Sequence, residues 1–190
     1  MNKVFSGNIV RNTKALNLWH QQMPTEPALE PDLPIIDAHH HLWDIPAVAN
    51  QYLFHDLLAD IGQGHNIIAT VYVEAHAMYL RDGPEHMKPV GEVAFANGVA
   101  AMAASVIYGH CKVADAIVAH ADLMLGRKVE EVLAKQQEVA GGRLRGIRYV
   151  TPYDDSELRN FVMRPVPPHR LADPKFREGF KQLAAMGLIF

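Results

Sequence analysis

Residues 67–74, Ile-Ile-Ala-Thr-Val-Tyr-Val-Glu, are β-branched and almost continuously apolar until they reach a carboxylate. A strand with one wet face alternates apolar and polar residues, whereas an unbroken apolar strand belongs in a parallel sheet covered on both faces. Parallel neighbours need crossover connections, usually helices, and the chain supplies them in order. Strands are expected at 35–39, 67–74, 114–120 and 144–150, with 188–190 opening a fifth. Helices are expected at 55–62, 92–107, 128–140 and 173–186; the last opens on Asp173-Pro174, a favourable cap and first-turn pair. Alternation of this kind means an α/β fold with a parallel sheet. No glycine fingerprint for a dinucleotide follows the first strand, and no phosphate-binding Gly-x-x-x-x-Gly-Lys-Ser/Thr occurs. The other large parallel solution is the (β/α)8 TIM barrel, whose functional groups sit at the carboxyl ends of its strands. The expected architecture is a partial (β/α)8 barrel of about four β/α units and the start of strand five. It spans 34–190 and follows an extended arm over 1–33, where Pro24, Pro27, Pro31 and Pro34 oppose a helix.

The residues at the expected strand ends carry the chemistry. Strand one leads into Asp37-Ala38-His39-His40-His41-Leu42-Trp43-Asp44. Side chains alternate along a strand, so Asp37, His39 and His41 share one face and His40 takes the other. Two imidazoles two positions apart can reach one small cation, and imidazole suits zinc and related metals. A His-rich turn with no ligand is the competing reading. Asp37 either orients His39 as an acceptor behind it or is a satisfied buried carboxylate. Strand two ends in Glu74 and His76, strand three in His120 and Asp122, and strand four in Arg148. Glu74 and His120 are expected to contact substrate. Arg148, a planar fork for carboxylates, is expected to anchor an acidic one unless Asp122 or Asp154 occupies it. His76 is expected to be a strand-end residue without a role, and 92–107 an Ala-rich helix whose Met and Ala residues from 94 to 107 make a packing face.

The phrases Ile35-Ile36-Asp37-Ala38-His39-His40-His41-Leu42-Trp43-Asp44, Val71-Tyr72-Val73-Glu74-Ala75, Ile117-Val118-Ala119-His120-Ala121-Asp122-Leu123 and Arg145-Gly146-Ile147-Arg148 resemble the amidohydrolase superfamily. The likeness is to its amidohydrolase-related branch of sugar-lactone and pyrone-lactone hydrolases, with aromatic-acid decarboxylases among the relatives. The resemblance implies a metal-dependent hydrolase that opens a lactone, or a related ester or amide, with metal-activated water. It implies a divalent metal, zinc or manganese, on His39 and His41; some relatives are thought to use this pair for substrate, without metal. A decarboxylase on the same scaffold is one alternative. Only the first histidine pair of the family pattern maps onto this chain. The later-strand histidines and aspartate have no counterpart, so the catalytic base is unassigned. This points to a truncated chain, inactive or weak alone, or to a site completed elsewhere, and to a further alternative: a non-catalytic fragment that associates with itself.

The resemblance implies a small carbonyl substrate, acidic or neutral, and the open edge of a half-barrel would favour a second copy of the chain as partner. A net charge of −3 with no basic stripe argues against nucleic acid. Cys111, the single cysteine, excludes an intrachain disulfide and fits a reducing compartment. Residues 1–20 lack the apolar core of a secretion signal, and no membrane-length apolar run occurs. The expected location is the cytoplasm.

Overall fold

A computed structural model describes residues 12–190 apart from positions 25, 106, 162, 163 and 165. The first third of the arm thus lies outside the described residues. In chain order the described residues form helix α1 (Thr13–His20), strands β1 (Pro34–His40), β2 (Trp43–Ile45) and β3 (Asn50–Tyr52), helix α2 (Phe54–Ile61), strand β4 (Asn66–Val73), helix α3 (Val90–Ala104), strand β5 (Lys112–Ala119), helix α4 (Val129–Val139), strand β6 (Leu144–Ile147) and helix α5 (Pro174–Ala185).

Strands β1, β4, β5 and β6 pair in that order, all parallel, in one four-stranded sheet. Ile189 adds a single parallel bridge to Gly146 beyond β6. Strands β2 and β3 form a separate antiparallel ribbon, which the sequence pattern did not suggest. The expected partial barrel is corrected here. The strand count and pairing describe an α/β chain with a four-stranded parallel sheet and no barrel pattern. Alternation of strand and helix dictates parallel pairing of sequential neighbours. Closure is a separate matter, because it requires enough strands, tilt and stagger to bring the last edge round to the first. Here β1 stands at one edge and β6, with Ile189, at the other.

The arm is also more structured than expected. Asn12 caps α1 by accepting the Ala15 N–H at 2.7 Å, and Thr13 Oγ1 donates to the Gln51 carbonyl at 2.9 Å. The prolines follow that helix instead of interrupting it.

Helices pack consecutively: α3 lies against β5 and α4, and α4 against α5. The core joins Val113, Ile117 and Ala119 of β5 to Val93, Ala96 and Val99 of α3, Val132 and Leu133 of α4, and Phe176 and Leu183 of α5. Helix α5 sits against the 3-10 segment Leu123–Lys128, where Gly179 meets the Leu123 backbone directly. No helix among the described residues is long and apolar enough to cross a membrane.

His40 points away from its two histidine neighbours, as period two demands, and is buried on the helix-facing side. Its Nε2 lies 2.9 Å from Thr70 Oγ1, which accepts the Ala114 N–H at 2.9 Å. Burial lowers the His40 pKa from 6.5 to about 4, outweighing the Asp37 charge and the backbone hydrogen bond at His41, both of which favour the protonated ring. Between those two values the unfolded chain carries a proton that the folded chain does not. Stability therefore rises with pH across that window and is lost as pH falls through it. Between pH 7 and 4.5, the wild type should lose about 2–3 kcal/mol more than His40→Gln, read by urea unfolding at each pH. Equal losses in both proteins would show that His40 does not carry this dependence.

Candidate metal centre

The carboxyl ends of the four parallel strands all face the same way, which gathers the residues that follow them. Parallel register does the rest. Val73 pairs with Val118, so His76 and His120, far apart in sequence, follow adjacent strands side by side with ring centroids 4.8 Å apart. Glu74 leaves β4 one residue after Val73 and is 1% exposed. Ligand atoms of Glu74, His76 and His120 lie within 4.8 Å of one another.

Each member of this triad is held from behind. His120 Nδ1 is 3.2 Å from the Arg148 carbonyl, and as donor there it leaves Nε2 as a lone pair. Gln136 of α4 donates to the His120 carbonyl at 2.7 Å. Tyr149 stacks on the His120 ring and donates its hydroxyl to Asp122 Oδ1 at 3.1 Å. His76 Nδ1 lies 2.6 Å from the Tyr79 hydroxyl and 3.4 Å from Glu74 Oε2. The His76 backbone N–H donates to Glu74 Oε2 at 3.1 Å. Burial pushes the His76 pKa down to about 4 despite the Glu74 charge, and burial likewise lowers His120. Both rings are therefore neutral at pH 7, the protonation state a metal ligand needs.

His39 and His41 meet as the shared strand face predicts. Their Nε2 atoms are 3.1 Å apart and their rings are edge to face. His41 Nδ1 lies 2.7 Å from the Val73 carbonyl; with Nδ1 as the donor, the Nε2 lone pair faces His39. Two nitrogens on one zinc ion at tetrahedral angles sit about 3.3 Å apart, so the pair fits one cation in its present geometry. The triad fits after side-chain movement of about an ångström, since its atoms spread to 4.8 Å. It offers the three protein ligands usual in a catalytic zinc site, and the pair offers two. Burial lowers the His41 pKa, with the Arg148 charge adding and the Glu74 charge opposing. Pair and triad are thus electrostatic neighbours.

Arg148 pairs with neither Asp122 nor Asp154. Its Nε donates to Glu74 Oε1 at 2.7 Å and its Nη2 to the Glu74 carbonyl. The two residues expected to face substrate separately hold each other, although Arg148 stays 37% exposed. Asp122 caps the 3-10 segment through the Met124 N–H at 2.9 Å and is structural. Asp37 accepts the backbone N–H of His39 at 3.1 Å, and this bond does not involve the imidazole.

Two residues escaped the sequence reading. His76 was set aside because its side chain alone gives no sign of its neighbour across the sheet. Glu92 of α3 opens the expected Ala-rich helix and is given no role by the sequence reading. It is 2% exposed, and burial raises its pKa to about 6. A lone carboxylate in the otherwise uncharged run Val-Gly-Glu-Val-Ala-Phe-Ala-Asn-Gly-Val-Ala-Ala-Met-Ala-Ala was the available signal.

Comparison with known proteins assigns no family. The chain is 27% identical over 181 residues to the uncharacterized protein y4mH of Sinorhizobium fredii (strain NBRC 101917 / NGR234), a match covering 84% of this chain and 53% of the relative. The chain therefore spans about half the length of the curated relative it matches. No protein-family model matches, and no solved structure does.

Proposed function

We propose that this cluster is the metal and substrate centre of a hydrolase that opens a lactone, or a related ester or amide, in the manner of amidohydrolases. The observation that supports this reading is the convergence of Glu74, His76 and His120, two neutral imidazoles and a buried carboxylate, beside a second histidine pair and an arginine. Glu74, His76 and His120 would hold the ion; a mixed carboxylate–imidazole set suits zinc, with manganese the second candidate. When bound there, the metal polarises the substrate carbonyl and makes water a stronger acid. The proton of attacking water would go to the His39–His41 pair, where burial keeps His41 from being protonated beforehand. His39 shares that proton across the 3.1 Å contact. The remaining N–H groups of Arg148 orient an acidic substrate.

The test begins with metal content. After chelation and reloading with zinc, elemental analysis should show stoichiometric metal in the wild type and in His39→Ala/His41→Ala. The His76→Ala/His120→Ala protein should hold none. Loss only in the first double variant would move the ion to the strand-one pair; wild-type content in both would overturn the metal reading. The same preparations are then assayed on sugar lactones and pyrone lactones. Ring opening that chelation removes and zinc restores supports hydrolysis. Carbon dioxide release assigns decarboxylation instead. Intact substrate with zinc bound overturns the hydrolase reading and leaves a metal-binding module.

A further inference from the structure

We infer that Glu92, on the first turn of α3, is the positioning residue of this centre, setting the His76 loop through hydrogen bonds while touching neither metal nor substrate. The inference rests on the metal reading above. Three successive amides at the end of β4 are held by two buried carboxylates. Glu92 Oε1 accepts from the Ala75 N–H at 2.7 Å and the Ala77 N–H at 3.2 Å. Between them the His76 N–H goes to Glu74. Glu92 is itself fixed by the Tyr72 hydroxyl, which donates to the same oxygen at 2.9 Å; Tyr72 is 1% exposed.

The segment needs such a hold. His76 has φ 55° and Met78 φ 54°. A non-glycine residue there is strained and persists only where its surroundings over-determine it. The α3 turn also forms the floor of the loop. A Cβ at Gly91 would lie 2.6 Å from the Met78 carbonyl oxygen and 2.7 Å from the Leu80 nitrogen. Only glycine lets the loop backbone settle this close. Glu92 Oε2 is buried with no hydrogen-bond partner. A buried carboxylate with one idle oxygen is a poor packing residue. It is a strong acceptor for three converging donors.

The experiment uses Co2+ as the probe and reads affinity, visible absorption and amide exchange. Glu92→Gln keeps one acceptor oxygen and should bind Co2+ within about threefold of wild type. Glu92→Ala should bind about 10- to 100-fold more weakly, the usual effect of losing a group that orients a ligand, with an altered Co2+ spectrum. Its Ala75 and Ala77 amides should exchange at least about tenfold faster while β5 and α4 amides stay protected. A general loss of stability would speed exchange throughout and leave the folded protein's spectrum unchanged. If Glu92→Ala does not fold, Tyr72→Phe frees the carboxylate without touching the loop, and a several-fold loss of Co2+ affinity is expected there. Wild-type affinity in whichever of Glu92→Ala or Tyr72→Phe folds overturns the inference. If the wild type itself binds no Co2+, the metal reading fails separately. In that case unchanged Ala75 and Ala77 exchange in Glu92→Ala overturns the positioning role, and selective loss of their protection upholds it.

Discussion

Replacing Arg148 with alanine should cost the fold about 3 kcal/mol, the largest polar effect expected in this chain. The reason is asymmetry. Glu74 is 1% exposed, and its charge is compensated by the Arg148 guanidinium at 2.7 Å. Removing the arginine leaves the buried Glu74 carboxylate without its counter-charge, and an uncompensated buried charge typically costs about 3–5 kcal/mol. The lower end applies because Arg148 is itself 37% exposed, so water can follow where the side chain was. Arg148→Lys should recover only part of the loss, since an ammonium cannot address the Glu74 carboxylate and carbonyl with one rigid fork. Denaturant unfolding of the three proteins at pH 7 measures both differences. A loss under about 1 kcal/mol in Arg148→Ala would mean that the pair behaves as an ordinary surface ion pair.

Gly179→Val should be comparably damaging for a steric reason. A Cβ at Gly179 would lie 2.2 Å from the Leu123 carbonyl oxygen and 3.0 Å from its carbonyl carbon. Both are backbone atoms of the 3-10 segment that carries the chain from β5 toward α4, and no rotamer change relieves them. Helix α5 would have to lift from that segment, opening the core around Leu123, Phe176 and Leu183. The expected loss is about 3 kcal/mol, at the upper end for overpacking a core. Gly98, in α3, has nothing within 4 Å of its would-be Cβ. Gly98→Val there adds a β-branched residue in open space and should leave stability near wild type. Thermal melts of the two variants side by side give the comparison. Similar melting temperatures would show that α5 can shift without loss.

The local character of the chain was legible because it rests on short-range rules. Apolar runs over 67–74 and 114–120 became β4 and β5, shifted by a residue or two. The Asp173-Pro174 opening became the cap and first turn of α5, with Asp173 accepting from the Lys175 N–H at 2.8 Å. Side-chain alternation placed His39 with His41 and turned His40 inward. The ribbon of β2 and β3 was missed because three-residue strands are too short to display a period. The barrel was overread because strand–helix alternation is common to every parallel α/β sheet.

What the sequence by itself determined is therefore the strands of the main sheet, the helices between them, their parallel sense and the near neighbours within one strand. Propensity, capping and period two act over a few residues, and those residues are visible in a row. What only the tertiary structure decided is which strand ends meet. His76 joins His120 because β4 and β5 pair with Val73 opposite Val118. Arg148 chooses Glu74 over Asp122 because β6 lies beyond β5 in the same sheet and its end reaches back across it. Glu92 reaches the His76 loop because Gly91 lets that loop settle on the first turn of α3. These contacts depend on sheet register and on the depth of helix packing. Both are set by the summed fit of many side chains, which no local run of sequence displays.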